Sequence, residues 1–439
     1  MAHTVFIPVE SDSAESRVAA SPETVKRLKG LGLDVVVQKG AGLKSRITDA
    51  EYEKAGATLG TASAAAKADV VLKVRRPDAK ETKAYKTGAL VIAAMDPFGH
   101  EDSVNAMAQA GLSAFAMEFM PRITRAQVMD ILSSQANLAG YQAVIDAAAE
   151  FDRAMPMMMT AAGTVPAAKV FVMGAGVAGL QAIATAKRLG AAVTATDVRP
   201  AAKEQVASLG GKFIAVEDEE FKAAETAGGY AKEMSKEYQA KQAALVAEHI
   251  AKQDIVITTA LIPGRPAPRL ISADMVKSMK PGSIIVDLAV ERGGNVEGAK
   301  AGEVVTTANG VKIIGHLNVP GRVAASASLL YAKNLYTFLE TMVDKEKKVL
   351  AVDMEDELVK ATMLTHDGKV VHPNFVDTAK PAAKAAAPKK APARKATPAR
   401  KPAAKAAAGS AAAKKTAGKP AAASSAADKP AATKSGGES

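Results

Sequence analysis

The sequence predicts an α/β protein with two doubly wound parallel sheets, a long connecting helix and a basic tail. Three observations support this fold class. Short apolar runs alternate with helical segments over residues 4–117, a glycine-rich turn opens a second such series near residue 169, and residues 380–439 lack the side chains that form a core. Strands that alternate with helices are typical of a parallel sheet covered by helices on both faces.

The first series contains five candidate strands. They span Thr4–Ile7, Asp34–Gln38 and residues 70–74, 89–94 and 113–117. Between the first two, Ser21 and Pro22 are typical of a helix start, because Ser accepts a hydrogen bond from an unpaired backbone N–H and proline has no N–H to satisfy. We predict one α/β domain here, and it lacks a GxGxxG motif.

A long helix is predicted from Thr124 onward, connecting the two domains. Gln127, Asp130 and Ser133 recur every three residues near its start, which would place them on one face of a helix. The spacing leaves two interpretations open, a solvated stripe or a stripe that faces a cleft. The uncharged residues 154–168 contain prolines and a glycine, so we interpret them as a connection rather than a membrane span.

Residues 169–199, KVFVMGAGVAGLQAIATAKRLGAAVTATDVR, carry the first functional signal. An apolar strand leads into Gly174, Gly176 and Gly179, and a helical pattern follows. Asp197 ends the next strand 23 positions after Gly174, close to the ~20 of the dinucleotide fingerprint. The three glycines allow the tight turn, the approach of backbone to a pyrophosphate, and the close packing of helix on strand. This pattern predicts a dinucleotide site in a Rossmann-like sheet.

That second sheet is predicted to have seven strands. The candidates span residues 170–172, 192–195, 212–216, 255–259, 283–288, 304–307 and 312–315.

Residues 217–249 interrupt the series with a long polar segment. Gly228 and Gly229 permit large backbone changes, and Tyr230 and Met234 offer apolar contacts. The segment is either a surface loop or a lid that excludes water from a bound dinucleotide, and the residues alone favour neither interpretation.

The chain after His316 is predicted to return to the first domain. A helix there carries apolar residues at Val323, Leu329, Leu330, Leu335 and Leu339. Residues 348–371 alternate enough for a small strand pair, with a hairpin turn at Asp367 and Gly368.

The net charge of +11 comes from the tail. Residues 380–439 contain 14 Lys or Arg and 2 Asp or Glu, which leaves residues 1–379 at −1. A segment without large apolar residues cannot offset the entropy of folding, so we predict that the tail is disordered. Lysine and proline without aromatic residues permit only weak, non-specific contact with polyanions such as nucleic acid or a membrane surface.

Several chemistries are disfavoured. The chain has no cysteine, and its six histidines are scattered without the spacing of a metal site, so we expect no metal. The first residues lack the pattern of a secretory signal, so we expect a cytoplasmic protein.

Several long strings resemble the NAD(H)-binding component of the proton-translocating NAD(P) transhydrogenase family. They include RVAASPETVKRL, MPRITRAQVMDILSSQANLAGY, GAGVAGLQAIATAKRLGA, AGGYAKEM, MKPGSIIVDLAVERGGN and GHLNVPGR. The resemblance covers residues 4–375 and implies two Rossmann-like doubly wound parallel-sheet domains joined by long helices. It also implies that hydride passes directly between NADH on this chain and NADP⁺ on a partner, coupled through membrane subunits to proton translocation.

The resemblance implies a set of site residues. The nicotinamide end would be oriented by Arg122, Gln127 and Asp130, which are catalytic in that sense. Contacts with the dinucleotide would come from Arg125, Ser133, Gly174, Gly176, Val177, Gly179, Asp197, Val198, Arg199, Gly229, Tyr230, Met234, Gln242 and Leu261. Asp197 beside Arg199 favours NAD over NADP, because the carboxylate would repel a 2′-phosphate.

The resemblance also implies boundaries and partners. The first domain would comprise residues 1–135, completed by 320–379, the NAD-binding domain residues 136–319, and the tail residues 380–439. The chain would form a homodimer, bind NADP-binding and membrane-spanning subunits, and lie at the cytoplasmic face of the inner membrane.

The alternative within the same fold is an alanine dehydrogenase. That reaction would need an Arg and a Lys to bind the amino acid and a His to move protons. Arg17 and Lys73 are suitably placed in the sequence, but only His100 lies near the first sheet, and Glu291 stands where that relative tends to have Asp.

Overall fold

The computed structural model describes residues 3–224, 234–262 and 264–378. The predicted tail, residues 380–439, and the predicted lid residues Gly228, Gly229 and Tyr230 lie outside the described residues.

The first sheet is built mainly from the first third of the chain. Its strands are β1 (Thr4–Ile7), β2 (Asp34–Gln38), β3 (Thr58–Gly60), β4 (Val70–Arg75), β5 (Leu90–Ala94) and β6 (Ser113–Ala116), and its helices are α1 (Pro22–Gly30), α2 (Asp49–Lys54), α3 (Ala79–Ala84) and α4 (Glu101–Gln109). The parallel order is β6-β5-β4-β1-β2-β3. The five predicted strands are confirmed, and β3 was missed because its three residues carry little apolar signal.

Local sequence explains where the first helix begins. Ser21 accepts a hydrogen bond from the backbone N–H of Thr24, whose side chain in turn accepts one from the Ser21 backbone, and Pro22 is the first helical residue. This reciprocal capping satisfies N–H groups that the helix itself leaves unpaired.

The predicted long helix begins later than its apolar pattern suggests. Residues Thr124–Met129 form a 3₁₀ helix, and the α-helix α5 spans Ile131–Glu150. Asp130 is the N-cap of α5 and accepts a hydrogen bond from the Ser133 backbone N–H at 3.0 Å. The prediction that Gln127, Asp130 and Ser133 lie along one face of a continuous helix is therefore wrong, because the capping aspartate ends the helix between them.

The connection after α5 contains a small hairpin that the sequence did not predict. Strands β7 (Met158–Thr160) and β8 (Gly163–Val165) pair antiparallel with each other only, and all six residues are exposed.

The second sheet has the seven predicted strands. They are β9 (Lys169–Met173), β10 (Ala192–Thr196), β11 (Lys212–Phe213), β12 (Ile255–Thr258), β13 (Ile284–Asp287), β14 (Val304–Thr306) and β15 (Lys312–Ile314), with helices α6 (Val177–Arg188), α7 (Ala202–Ser208), α8 (Glu219–Lys222), α9 (Lys236–Ile250) and α10 (Ala273–Ser278). The order is β11-β10-β9-β12-β13-β15-β14, and only β14 is antiparallel to its neighbour. Strand order reverses at β9, so the crevice for a ligand lies at its carboxyl end.

The last part of the described chain returns to the first sheet, as predicted. Its elements are α11 (Ala324–Glu340), β16 (Val343–Asp344), β17 (Val349–Leu350), α12 (Glu357–Thr362), β18 (Met363–His366) and β19 (Lys369–Val370). Strand β18 pairs antiparallel with β6, and Leu335 and Leu339 of α11 join the first core. Asp367 and Gly368 have φ of 47° and 76°, as a type I′ hairpin turn requires. Leu329 and Leu330 of α11 do not join the first core as Leu335 and Leu339 do, and they are exposed.

Helices α5 and α6 pack so closely that one contact requires a glycine. A Cβ on Gly140 of α5 would lie 2.0 Å from the carbonyl oxygen of Ala178 in α6. Small residues permit such a crossing, and Ala143, Val144 and Ala147 of α5 belong to the core of the second sheet. The division of the chain into domains at residues 135, 319 and 379 stays a prediction.

Substitution of Gly140 tests this packing. We expect Gly140→Ala to lower the free energy of unfolding by about 1–3 kcal/mol, because the added methyl must separate two helices. Urea denaturation measures the change. Gly30→Ala is the control, since a Cβ there meets nothing within 4 Å, and equal stability of the two variants would contradict the packing argument.

Candidate dinucleotide site

The glycine turn after β9 is shaped by contacts that exclude side chains. Gly174 has a φ of 104°, and a Cβ on Gly179 would lie 1.8 Å from the Gly174 carbonyl oxygen. A Cβ on Gly176 would meet nothing within 4 Å, and no side chain caps the N-terminus of α6. The loop therefore presents open space beside free helix N–H groups, an arrangement suited to a phosphate.

The acidic residue of the fingerprint lies beside this turn. Asp197 accepts hydrogen bonds from the backbone N–H of Ala175 at 2.7 Å and from the Nε of Arg199 at 2.9 Å. Arg199 also donates to the Ala175 carbonyl oxygen at 3.2 Å. The carboxylate is thus fixed next to the glycine loop, and Val198 between the two charged residues is exposed.

The loops after β12 and β13 are held together by buried polar side chains. Asn295 exchanges hydrogen bonds with both backbone groups of Ala260, at 3.1 and 2.9 Å. Asp287 accepts backbone N–H groups of Ala289 and Val296 at 2.9 and 3.0 Å. Burial raises the pKa of Asp287, while these hydrogen bonds oppose the rise. The result is an ordered platform that carries the exposed Leu261 at the carboxyl edge of the sheet.

The start of α5 projects beyond that edge. Glu150, at the end of α5, forms an ion pair with Lys312 at the start of β15, whereas Gly140 meets Ala178 at the start of α6. Ten residues of helix separate Gly140 from Asp130, which corresponds to ~15 Å. Asp130 and the turn before it therefore extend over the crevice towards the first sheet.

The predicted polar residues at this end have different surroundings. Asp130 accepts hydrogen bonds from the backbone and hydroxyl of Ser133. Gln127 and Arg122 are exposed. Arg125 forms hydrogen bonds with Asp356 and Glu357 at the start of α12, so the structure gives it a role in attaching α12.

Two predicted contacts lie around α9. Gln242 donates to the Thr196 hydroxyl at 3.1 Å and accepts from the Val216 backbone at 2.9 Å. It therefore joins the end of β10 to α9. Met234 is buried in a cluster with Phe221 and Tyr238.

Two family models together match most of the described chain. Residues 6–139 match the family described as alanine dehydrogenase/PNT, N-terminal domain, and residues 143–373 match alanine dehydrogenase/PNT, C-terminal domain. The chain belongs to the alanine dehydrogenase/PNT family.

Named members of the alanine dehydrogenase/PNT family differ in their similarity to the chain. It is 58% identical over 376 residues to the first part of NAD(P) transhydrogenase subunit alpha of Rhodospirillum rubrum, covering 84% of this chain and 98% of that protein. A crystal structure of transhydrogenase from Sinorhizobium meliloti is 72% identical, with a TM-score of 0.78, and covers 84% of this chain and all of the other. Alanine dehydrogenase of Halomonas elongata is 29% identical over 378 residues, covering 84% of this chain and 94% of that protein.

The two cations that an alanine dehydrogenase would need are already paired. Lys73 is fully buried and forms ion pairs with Glu81 at 2.6 Å and Glu10 at 3.5 Å. Arg17 donates to both carboxylate oxygens of Glu15 at 2.8 Å and to Gln135 at 2.9 Å. The charges of both cations are therefore balanced by carboxylates of the chain itself, without a substrate carboxylate.

Sequence reasoning missed polar residues that shape the platform. Thr259 donates to the Gly174 carbonyl oxygen at 3.1 Å, and Asn295 orders the loop after β12. Asn318 forms hydrogen bonds with the loop after β1 of the first sheet and with the loop after β13 of the second. Each lies in a string quoted for the resemblance or next to a predicted strand end, but only the fold brings them together.

The Glu15 and Arg17 pair predicts how stability depends on pH. Burial would raise the pKa of Glu15, but hydrogen bonds and the charge of Arg17, with Arg75, lower it from 4.5 to about 2. A lowered folded-state pKa contributes stability that is present above pH 4.5 and is lost as the pH falls through about 2.

Removal of Arg17 should move that loss to higher pH. We expect Arg17→Gln to raise the pKa of Glu15 and so shift the acid-unfolding midpoint upward, measured by circular dichroism along a pH series. Arg27→Gln, which breaks an exposed ion pair with Glu23, is the control and should leave the midpoint nearly unchanged. Superimposable curves for wild type and Arg17→Gln would refute the coupling.

Proposed function

We propose that this chain binds NADH and transfers hydride directly to NADP⁺ held by a partner component. The observation that carries the proposal is the glycine turn: free helix N–H groups and open space at Gly176 lie beside the fixed carboxylate of Asp197. Similarity to NAD(P) transhydrogenase alpha subunits, over nearly the whole length of the Rhodospirillum rubrum chain, supports the same function.

NAD rather than NADP fits this end of the site. The Asp197 carboxylate is held by Ala175 and Arg199 at the end of β10, where it would accept hydrogen bonds from ribose hydroxyls. A 2′-phosphate would be repelled by the same carboxylate. The guanidinium of Arg199, already bonded to Asp197, adds little to offset that repulsion.

The reaction needs orientation rather than acid–base chemistry. The nicotinamide supplies the hydride, and the protein has to hold the two reacting atoms ~3 to 3.5 Å apart. Arg122, Gln127 and Asp130 are proposed to orient the nicotinamide, because the start of α5 extends over the carboxyl edge. Leu261 and Val177 would cover apolar faces of the dinucleotide.

The lid is proposed for the segment between α8 and α9. Met234 is buried against Phe221 of α8 and Tyr238 of α9, which fixes the end of this segment. Gly229 and Tyr230 would then close over the nucleotide and exclude water.

The partner is proposed to cover the exposed apolar side chains around the crevice. Ile262 and Leu317 are each more than two-fifths exposed, and both follow carboxyl ends of strands. Exposed apolar side chains that form one patch mark interaction sites. We propose that they face the NADP-binding component, at the cytoplasmic face of the inner membrane, where separate subunits translocate protons. No helix in the described ranges has the length and apolar character of a membrane span.

Hydride exchange tests the proposal. The chain is mixed with the NADP(H)-binding component of a transhydrogenase, and transfer from NADH to thio-NADP⁺ is followed by absorbance.

A variant of the glycine turn tests the same site by binding alone. We expect Gly176→Ala to bind NADH at least ~10-fold more weakly, because the methyl fills space meant for the pyrophosphate, while its stability is unchanged.

Two results would overturn the proposal. One is the absence of exchange when both folded proteins have bound their nucleotides. The other is NADH formation from L-alanine and NAD⁺ by the chain alone, which would assign it to the alanine dehydrogenases instead.

The homodimer is proposed to use the β7–β8 hairpin. Met157, Met158, Met159 and Val165 are exposed apolar side chains on this hairpin, and an isolated two-stranded hairpin is only marginally stable in water. Both of its strand edges are unpaired in the described chain and are suited to pairing with a second copy.

Replacement of residues 157–165 by a short Gly-Ser linker tests the role of the hairpin. We expect the variant to sediment as a monomer at concentrations where the wild type is a dimer. The fragments that resist trypsin and the thermal unfolding temperature should be the same in both proteins. Leu329→Ser is the matched control, because it removes exposed apolar surface elsewhere. A hairpin variant that stays dimeric would contradict the assignment.

A further inference from the structure

Asn318 is buried at the junction of the two sheets and has an unusual backbone. Its φ and ψ are 47° and 49°, in the left-handed region, and the residue is 8% exposed. Asparagine tolerates this conformation better than most residues. The backbone therefore explains why Asn is acceptable here, but not what its side chain does.

The residue is held from both sheets, by its side chain on one side and by its backbone on the other. Its Nδ2 donates to the carbonyl oxygen of Ala14 at 3.2 Å, in the loop after β1. Its backbone N–H donates to the Glu291 carboxylate at 2.5 Å, in the loop after β13. A Cβ on Gly321 would lie only 2.3 Å from the same Nδ2, so a glycine at 321 leaves room for the amide in this orientation.

The amide oxygen has no donor. Among the described residues, Asn318 Oδ1 is buried and has no hydrogen-bond partner. A buried acceptor left unpaired costs about 1–3 kcal/mol, and such groups are rare unless a ligand or water pairs with them. The bond from Nδ2 to Ala14 orients the amide so that Oδ1 is the atom left for an incoming donor.

The strand order locates this acceptor along the dinucleotide. Asp197 at the end of β10 marks the adenosine side, the glycine turn after β9 lies next, and the loops after β12, β13 and β15 follow in order. Asn318 follows β15 and contacts the loop after β13. A dinucleotide that extends from β10 across β9 therefore has its nicotinamide at the end where Asn318 lies.

We propose that Asn318 Oδ1 accepts a hydrogen bond from the carboxamide NH₂ of the nicotinamide, and so helps to fix the orientation of the ring. This inference rests on the proposed function. Asn318 is a positioning residue in this role, since it contacts the carboxamide and not the carbon that carries the hydride.

The test removes the donor from the nucleotide and the acceptor from the protein. Reduced 3-acetylpyridine adenine dinucleotide has a methyl group in place of the carboxamide NH₂. The dissociation constants of NADH and this analogue are measured by fluorescence for the wild type and for Asn318→Gly, which deletes the amide and keeps the left-handed backbone accessible. Asn309→Ala is the matched control, because Asn309 bonds to backbone carbonyls of Val276 and Met279 before β15, at the opposite edge.

We expect the wild type and the control to bind NADH about fivefold more tightly than the analogue, and Asn318→Gly to bind both equally. If Asn318→Gly does not fold, Gly321→Ala replaces it, because its methyl displaces the amide. A preference for NADH that is the same in wild type and variant would overturn the inference while leaving the proposed function intact. A wild type that binds neither nucleotide would overturn the proposed function itself.

Discussion

The site depends on one close contact of backbone with backbone. The carbonyl oxygen of Gly174 lies where a side chain on Gly179 would have to be, so the turn after β9 can pack against the first turn of α6 only without a Cβ. The same carbonyl accepts a hydrogen bond from Thr259 on the neighbouring strand end. Because of this contact, the free N–H groups of α6 and the space at Gly176 occur at the point where strand order reverses. A second glycine contact, Gly140 on Ala178, fixes α5 against the same helix.

These two contacts determine what surrounds the crevice. With α5 fixed at Gly140, its first ten residues extend past the carboxyl edge and carry Asp130 towards the first sheet. The return of α11 to the first core then places Asn318 between the loops that follow β1 and β13. Hydride transfer between two nicotinamides demands orientation rather than proton transfer. The reactive end of the crevice is bordered by elements packed on both sheets, and this packing can supply the orientation.

Much of the fold was predictable from local patterns. Six of the seven strands of the second sheet match their predicted positions to within a residue or two, since buried strands read as continuous apolar runs. The exception is β11, which is shorter than the expected 212–216 because only Lys212–Phe213 pair with β10. The start of α5 was predicted too early, because apolar spacing continues through the 3₁₀ turn. The capping hydrogen bond from Ser133 to Asp130 decides where the helix begins. Three-residue strands such as β3 and the β7–β8 hairpin are too short for a periodic signal.

The sequence by itself determined the glycine turn, the acidic residue that follows it and the two alternating series, because each depends on residues that are neighbours along the chain. The resemblance of long strings to the transhydrogenase family added a function that the confirmed family membership supports. Only the tertiary structure decided that Lys73 and Arg17 are paired internally, that Arg125 is bound to α12, and that the amide oxygen of Asn318 is left without a donor. Those outcomes depend on groups up to 304 residues apart in the chain, such as Asn318 and Ala14. Burial and pairing of this kind follow from packing, which no local pattern encodes.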